Sequence, residues 1–337
     1  MEALLRAVSL KHYVTIAEKC GLNGLQMLRQ HKITPAMIAN PEQMLSYASV
    51  LQLLEDSAKA SGQESFGLLM AEVRTMADWG EVSLLMSHQP TLREALHVVM
   101  DFGNLINRYF ALRIEDRGRR VFLREETLAD SDLPKRQAVE LSTALIHQTC
   151  AAILGTQWRP KMVCFTHSKP STLTVHERVF HSRFEFDASA NGIWCDAADL
   201  DAPNPRADPA MAAIARRFMG AREVRDADDL LFNLRKATYL LLPLGKAKIK
   251  QVAPGLGMSV RNLQRQLDEL GVSYSTVLNE VRKELVLGHL QNRKTSIESI
   301  AAMLGYTKAT SFTRWFNTEY GVPPRNWRKE KALRSSG

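Results

Sequence analysis

"GYTKATSFTRWFNTEYGVPPRNWR", residues 305–328, decides how the last third of this chain is read. A helix over 308–320 puts Phe312, Trp315, Phe316 and Glu319 on one face and Thr310, Thr313, Arg314 and Asn317 on the opposite one. The aromatic face can anchor the helix in a small core. The other face sets short hydrogen-bonding side chains around one arginine, whereas a solvated helix more usually shows Glu and Lys pairs at i,i+4 spacing. Taken alone, the segment fits an ordinary amphipathic helix and a helix laid on base-pair edges equally well.

The pattern occurs twice. "IKQVAPGLGMSVRNLQRQL" (249–267) aligns with "IESIAAMLGYTKATSFTRWF" (297–316) at a shift of 48, rising to 49 past one inserted residue. Val252 falls on Ile300, Ala253 on Ala301, Leu256 on Leu304, Gly257 on Gly305 and Ser259 on Thr307. Beyond the insertion Leu263 meets Phe312, Arg265 meets Arg314 and Leu267 meets Phe316. Each copy predicts a helix, a tight turn and a second helix. The small alanine lets the helices approach, the glycine takes the positive φ that ends the first, and Ser259 or Thr307 caps the second. That is a helix-turn-helix, whose second helix is the one that enters the major groove. Between the copies, "STVLNEVRKELVLGHLQNRK" (275–294) has Val277, Leu278, Val281, Leu285 and Leu290 at helical spacing. It predicts one continuous helix with Arg282 and Lys283 beside its apolar stripe, either solvated or near phosphate.

Charge separates this third from the rest. The chain of 337 residues has net charge +8; residues 229–337 hold 18 Lys or Arg against 8 Asp or Glu, net +10, which leaves 26 against 28, net −2, upstream. A polyanion partner for the C-terminal part follows. Ribosomal or membrane-surface contact would fit the charge as well, so the duplicated motif decides for DNA. Apolar content of 45% and charged content of 24% mark a globular chain. The longest apolar stretch, "YLLLPLG" (239–245), is far short of the roughly 20 residues that span a bilayer. No signal peptide is recognisable, and a cytoplasmic protein is expected. Cys20, Cys150, Cys164 and Cys195 are scattered without a C-x-x-C pair, which predicts reduced thiols rather than disulfides or a metal site.

Upstream, "PEQMLSYASVLQLLEDSAKAS" (41–61) and "PKRQAVELSTALIHQTCAAILG" (134–155) have helical periodicity. "YFALRIEDRGRRVFLREE" (109–126) alternates around an Asp-Arg-Gly turn, a β-hairpin, and "KMVCFTHSK" (161–169) and "RFEFD" (183–187) predict further strands. "DLDAPNPRADPA" (199–210) predicts a loop, and "GAREVRDADD" (220–229) the linker between an α+β domain, 1–222, and an all-α domain, 223–337. "HERVFH" (176–181) spaces its histidines five apart, about 140° around a helix, where H-E-x-x-H needs i and i+4; ordinary surface histidines are expected. No Gly-rich phosphate loop and no nucleophile elbow is present, which speaks against an enzyme and implies no cofactor. A merely architectural DNA binder would not need 228 residues of separate acidic domain.

"GMSVRNLQRQL" together with "IAAMLGYTKATSFTRWFNTEYGVPPRNWR" resembles the AraC/XylS family of bacterial transcription regulators. "SFGLLMAE", "GEVSLLMSHQPTLREALHVVM", "LPKRQAVELSTALI", "WRPKMVCFTH" and "FHSRFEFDASANGIWCDAADLD" are similar to the subgroup with an arabinose-binding-type regulatory domain. The resemblance spans nearly the whole chain. It implies a sensing and dimerising domain followed by two helix-turn-helix units on adjacent major-groove segments of promoter DNA. It also implies a homodimer, an activator that meets RNA polymerase, and a small-molecule effector; a constitutive regulator or repressor whose N-terminal domain only dimerises is the alternative. Carried over position by position, the DNA contacts fall on Arg261, Gln264 and Arg265, and on Thr310, Ser311, Thr313 and Arg314. Arg suits guanine O6/N7 and Gln suits adenine N6/N7, while phosphate contact alone would only position the helices. Where the family continues its helix before the turn, this chain has Pro254-Gly255, which predicts an early helix end and a looser first unit. For the effector, Arg74, Trp79, Asn104 and Arg108 are candidates, with Trp158, Trp194 and Asn107 beside them; core aromatics and surface arginines are the competing reading.

Overall fold

Gly118, at the first of two turn positions with φ 71, closes the hairpin of strands Phe110–Arg117 and Arg120–Thr127. A positive φ there is what a primed hairpin turn requires. The computed structural model that contains it describes residues 4–79, 81–103, 107, 109–128, 132–220, 227–291 and 295–334. The chain divides into two compact units, Met1–Glu223 and Val224–Gly337.

In the first unit the hairpin extends to a five-stranded sheet in the order Phe110–Arg117, Arg120–Thr127, Asn191–Asp196, Met162–Cys164, Phe184–Glu185. All pairings are antiparallel except the last. Side chains alternate as a pleated strand demands. Val121, Leu123, Val163 and Ile193 join the main core, while Phe122, Cys164, Met162 and Trp194 form a small cluster on the other face. The core face packs against helix Arg136–Leu154, which buries Val139, Leu141, Ala144, Ile146, Cys150 and Ile153. Helices Tyr47–Ser61 and Phe66–Glu72 pack on that helix in turn.

Three expectations need correction here. Residues Met44–Ser46 are not helical but pair as a short strand with Leu4–Arg6, and the helix begins at Tyr47 behind the Ser46 cap. The loop expected over 199–210 starts as the end of a helix, Ala197–Asp201. Strand Asn191–Asp196, central in the sheet, has no counterpart among the strands expected from the sequence. The expected linker falls largely on residues 221–226, outside the described residues.

The second unit is all α. Helix Ala227–Leu241 is followed by the pairs Ile249–Gly255 with Val260–Glu269 and Ile297–Met303 with Ala309–Tyr320, by Tyr274–Gln291 between them, and by Pro324–Arg334 at the end. Each pair has its own core. Leu234, Val252, Ala253, Leu263, Leu267 and Val277 form one; Leu242, Val281, Val286, Leu290, Ile300, Ala301, Leu304, Phe312 and Phe316 belong to the other. The long helix Tyr274–Gln291 therefore contributes Val277 to the first core and its next three turns to the second. Among the described residues no helix is long and apolar enough to cross a membrane.

Candidate nucleic-acid interface and ligand cavity

Both turns are built the same way. Helix Ile249–Gly255 ends with Met258 N–H donating to the Ala253 carbonyl and Gly257 N–H to that of Pro254; helix Ile297–Met303 ends with Tyr306 N–H to Ala301 and Gly305 N–H to Ala302. These are paired Schellman closures, with the glycine in the left-handed region at φ 67 and φ 73. Pro254 does not shorten its helix, contrary to expectation: both first helices have seven residues. Its position in the last turn forfeits one ladder bond, while its carbonyl still accepts from Gly257. Ser259 caps Val260–Glu269 by accepting from Asn262 N–H. Thr307 does not cap its helix; the N-cap is Lys308, which offers no side-chain acceptor. The inserted residue thus lies in the second turn and pushes the helix start one position along.

Gly305 is the tighter of the two turn glycines. A Cβ there would stand 3.0 Å from Leu242 Cδ1 and 3.2 Å from the Leu242 carbonyl, whereas Gly257 has open space around it. Gly257→Ala is expected to cost about 1 kcal/mol from the left-handed backbone alone, and Gly305→Ala roughly 1 kcal/mol more. Urea unfolding of the two variants checks the order; equal losses would mean that Leu242 simply gives way.

The residues expected to read DNA lie as the helical wheel requires. Arg261, Gln264 and Arg265 are exposed, opposite buried Leu263 and Leu267. Thr310, Ser311 and Arg314 are exposed opposite Phe312 and Phe316; Thr313 is half-buried and donates to the Ala309 carbonyl at 2.9 Å. The two arginines matched by the repeat differ. Arg265 is held by Asn262 Oδ1 at 3.0 Å and Glu269 Oε1 at 3.1 Å, an exposed pair of small energy. The Arg314 carbonyl accepts from Thr318 Oγ1 at 3.0 Å, but its guanidinium has no hydrogen-bond or ion-pair partner among the described residues and is free for a ligand edge.

Arg282 and Lys283 do not stand free in solvent. The Arg282 guanidinium lies 4.2 Å from the Tyr306 ring centroid and its Nε donates to the Leu304 carbonyl at 3.1 Å. Burial lowers its pKa, with Tyr306 opposing. It fastens the long helix to the second turn. Lys283 pairs with Glu319, which also accepts from Asn279; Asn279 in turn accepts from Trp315 Nε1 at 2.5 Å. Arg235 clamps the opening helix onto Glu280 and Glu284. These contacts hold the recognition helices, and nothing in the local sequence pattern announces them.

The N-terminal unit contains a cavity of about 90 Å3. It is walled by apolar side chains of helices Tyr47–Ser61 and Arg136–Leu154, by Phe110 and Thr127 of the hairpin, and by the segment Leu5–Ser9. Of the effector candidates, Arg74 lines it, as does Asn107. Trp158 does not: its Nε1 donates to Asp199 at 3.0 Å. Trp194 lies on the far face of the sheet, 4.9 Å from the Phe122 ring. Asn104 and Arg108, and the Trp79 side chain, lie outside the described residues. At one end Arg74 Nη2 donates to the Ser9 carbonyl, Arg74 Nε has no partner among the described residues, and Asp78 is engaged by Lys11 and by Thr75 N–H at 3.0 Å. Burial lowers the Arg74 pKa to about 10, against the pull of Asp78, so it stays charged at neutral pH. Near the other wall, Thr127 and Ser142 hydroxyls donate to buried Glu125 at 2.6 and 2.9 Å, and burial pushes that carboxyl up to about 8.

The "HERVFH" histidines are corrected as well. His176 is fully buried, 3.3 Å from Glu140 and edged by the rings of Phe165, Phe184 and Phe186. Only His181 is exposed. No group of three or more His, Cys, Asp or Glu suited to a metal occurs among the described residues. The four cysteines are free.

An α+β unit and a doubled helix-turn-helix in one chain define a DNA-binding regulator, and the comparisons agree. The arabinose-binding domain of AraC transcription regulators, N-terminal, matches residues 21–204, more than half of the chain, and a helix-turn-helix domain matches 252–330. The chain belongs to the AraC family of transcription regulators and is not an enzyme. It is 24% identical to HTH-type transcriptional regulator VirS of Mycobacterium tuberculosis over 329 residues, 97% of this chain and 96% of that protein. It is 22% identical to the ornithine utilization regulator of Pseudomonas aeruginosa over 310 residues, 92% and 91% of the two. The crystal structure of transcriptional regulator CdpR from Pseudomonas aeruginosa aligns over 90% of this chain and 96% of that one, at 19% identity and TM-score 0.42.

Proposed function

We propose that this protein binds promoter DNA sequence-specifically and activates transcription under the control of a small molecule held in its N-terminal domain. The observation that carries the reading is the outward set Arg261, Gln264, Arg265, Thr310, Ser311 and Arg314 on two second helices built alike, within a segment of net charge +10. Each recognition helix places these residues in its first two turns, where base edges are met. Residues 1–222 serve sensing and homodimerisation, residues 223–337 bind DNA, and RNA polymerase is the partner at an activated promoter in a bacterial cytoplasm. Two helices about one helical turn apart cover roughly 20 base pairs. The partly polar cavity supports ligand control over a merely dimerising role for the N-terminal domain.

Arg314→Ala separates reading from positioning. If Arg314 meets a guanine edge, the variant loses about 1–3 kcal/mol on the specific site and keeps its affinity for random sequence. If Arg314 only neutralises phosphate, affinity falls alike on all sequences and the salt slope drops by about one unit. The measurement is the ratio of specific to random-sequence affinity at two salt concentrations. A full-length protein without salt-sensitive binding to its own promoter region would overturn the function itself.

A further inference from the structure

We propose that the N-terminal cavity takes a small carboxylate with an apolar body, anchored through its carboxylate on the Arg74 guanidinium. This rests on the reading of the N-terminal domain as a ligand sensor, and names the chemical class that the sensor accepts.

Charge at the cavity end points to an anion. Arg74 and Asp78 line the cavity and Lys11, outside the lining, pairs with Asp78, so two cations meet one carboxylate and one positive charge is left over among the described residues. Asp78 already accepts from Lys11 and the Thr75 N–H, which together outweigh its burial and hold its pKa below the usual range. Its charge is already matched by Lys11 and Arg74, so an ammonium group entering here would meet a site that is positive in sum. Arg74 is different. One Nη2–H is occupied by the Ser9 carbonyl, which fixes the guanidinium plane, while its buried Nε–H has no acceptor among the described residues. A buried donor on a charged group without an acceptor is costly, and a carboxylate is the acceptor that a guanidinium fork fits best.

The rest of the cavity sets the body of the ligand. Leu5, Val8, Val50, Leu54, Leu141 and Leu145 supply the walls, and among the described residues no charged side chain other than Arg74 and Asp78 lines them. Buried Glu125, nearby, is mostly protonated at neutral pH and is turned to Thr127 and Ser142. A zwitterion or a cation would therefore bury an ammonium without a counter-ion. A volume of about 90 Å3 is smaller than the roughly 150 Å3 that encloses a benzene ring, so the enclosed body is a short chain, and neither a ring nor a long chain fits.

The test uses full-length protein and three probes of matched length: hexanoate, hexanamide and hexylamine. Melting shift and calorimetry give affinities, and promoter binding is measured with each probe. Hexanoate is expected to bind saturably with Kd lower than that of hexanamide by about tenfold or more, the value of one charge-assisted hydrogen bond. Hexylamine should not bind. Arg74→Gln should bring hexanoate to the level of hexanamide, and Arg74→Lys should keep the preference. Should Arg74→Gln not fold, retention of the preference in Arg74→Lys together with its absence in Arg74→Met decides the matter. Equal affinity for acid and amide, or no saturable binding of hexanoate at millimolar concentration, overturns the proposal. If hexanamide or hexylamine instead binds and alters promoter affinity, the sensor reading stands and the carboxylate class is wrong. If none of the probes binds and a cavity-filling Val50→Phe leaves regulation in cells unchanged, the sensor reading itself fails.

Discussion

Phe316→Ala is expected to destabilise the C-terminal unit by about 3–5 kcal/mol, the range for truncating a fully buried phenylalanine. Phe316 is 0% exposed. It stacks on Tyr320 at 4.4 Å between ring centroids and meets Phe312 at 5.9 Å and Trp327 at 6.4 Å. Around these rings lie Val281, Val286 and Leu290 of the long helix and Ile300 and Leu304 of the preceding one. A domain of this size has only about 5–15 kcal/mol in total, and this core is one of two small ones. The second helix-turn-helix should therefore lose its structure at denaturant concentrations where the first, with its own core around Leu263 and Leu267, persists. The functional signature differs from that of Arg314→Ala. DNA binding should fall on every sequence, because the whole recognition helix is lost rather than one contact on it. Hydrogen exchange, with urea unfolding beside it, checks this. Protection lost over 297–328 but kept over 249–270 is the expected outcome. A loss below about 1 kcal/mol would mean that the aromatic face is not the core of this unit.

The doubled helix-turn-helix was legible because every local signal agreed. Apolar spacing, the small alanine, the glycine after the first helix and the exit glycine recur in both copies, and each has a physical cause within a few residues. The Thr307 cap was misplaced because one inserted residue cannot be assigned to one side of a turn from the sequence. Pro254 does not end its helix early, because its carbonyl, which proline retains, takes part in closing that end. Strand Asn191–Asp196 was missed for a different reason. Its six residues lie between Ala-, Asn- and Asp-rich stretches, and what makes it a strand is pairing with Arg120–Thr127, about seventy residues upstream. Met44–Ser46 likewise follows a tertiary partner rather than its helix-compatible pattern. The interface residues were found by one helix face. The cavity gathers segments from residue 5 to residue 145, and only Arg74 and Asn107 were picked out for it. Nothing in the "HERVFH" spacing shows that His176 is buried, because that follows from Glu140 and Phe165 on other elements and from Phe184 and Phe186 of the chain beyond its own helix.

Glu125→Gln is expected to reverse sign with pH. Burial, opposed by the Thr127 and Ser142 hydroxyls, raises the Glu125 carboxyl from 4.5 to about 8. A folded-state pKa above the unfolded one means that the folded state holds a proton which the unfolded state releases. The contribution of Glu125 to stability is then full below about pH 4.5 and is lost as pH rises towards 8. The slope in that window is about 1.4 kcal/mol per pH unit. Glutamine keeps the acceptor oxygen and never ionises, so the variant escapes this loss. Its amide places an N–H2 where Oε2 now has no partner, which costs about 1 kcal/mol at every pH. At pH 4.5 the variant should be about 1 kcal/mol less stable than the parent, and at pH 7 about 2 kcal/mol more stable. His147, lowered to about 4 by burial, tilts the stability of both proteins the opposite way between roughly pH 4 and 6.5, so it cancels in the difference. Chemical unfolding of both proteins from pH 4.5 to 8 gives that difference directly. Parallel curves would show that Glu125 ionises in place at its ordinary pH, and the wall of the cavity it supports would then carry a negative charge that repels a carboxylate.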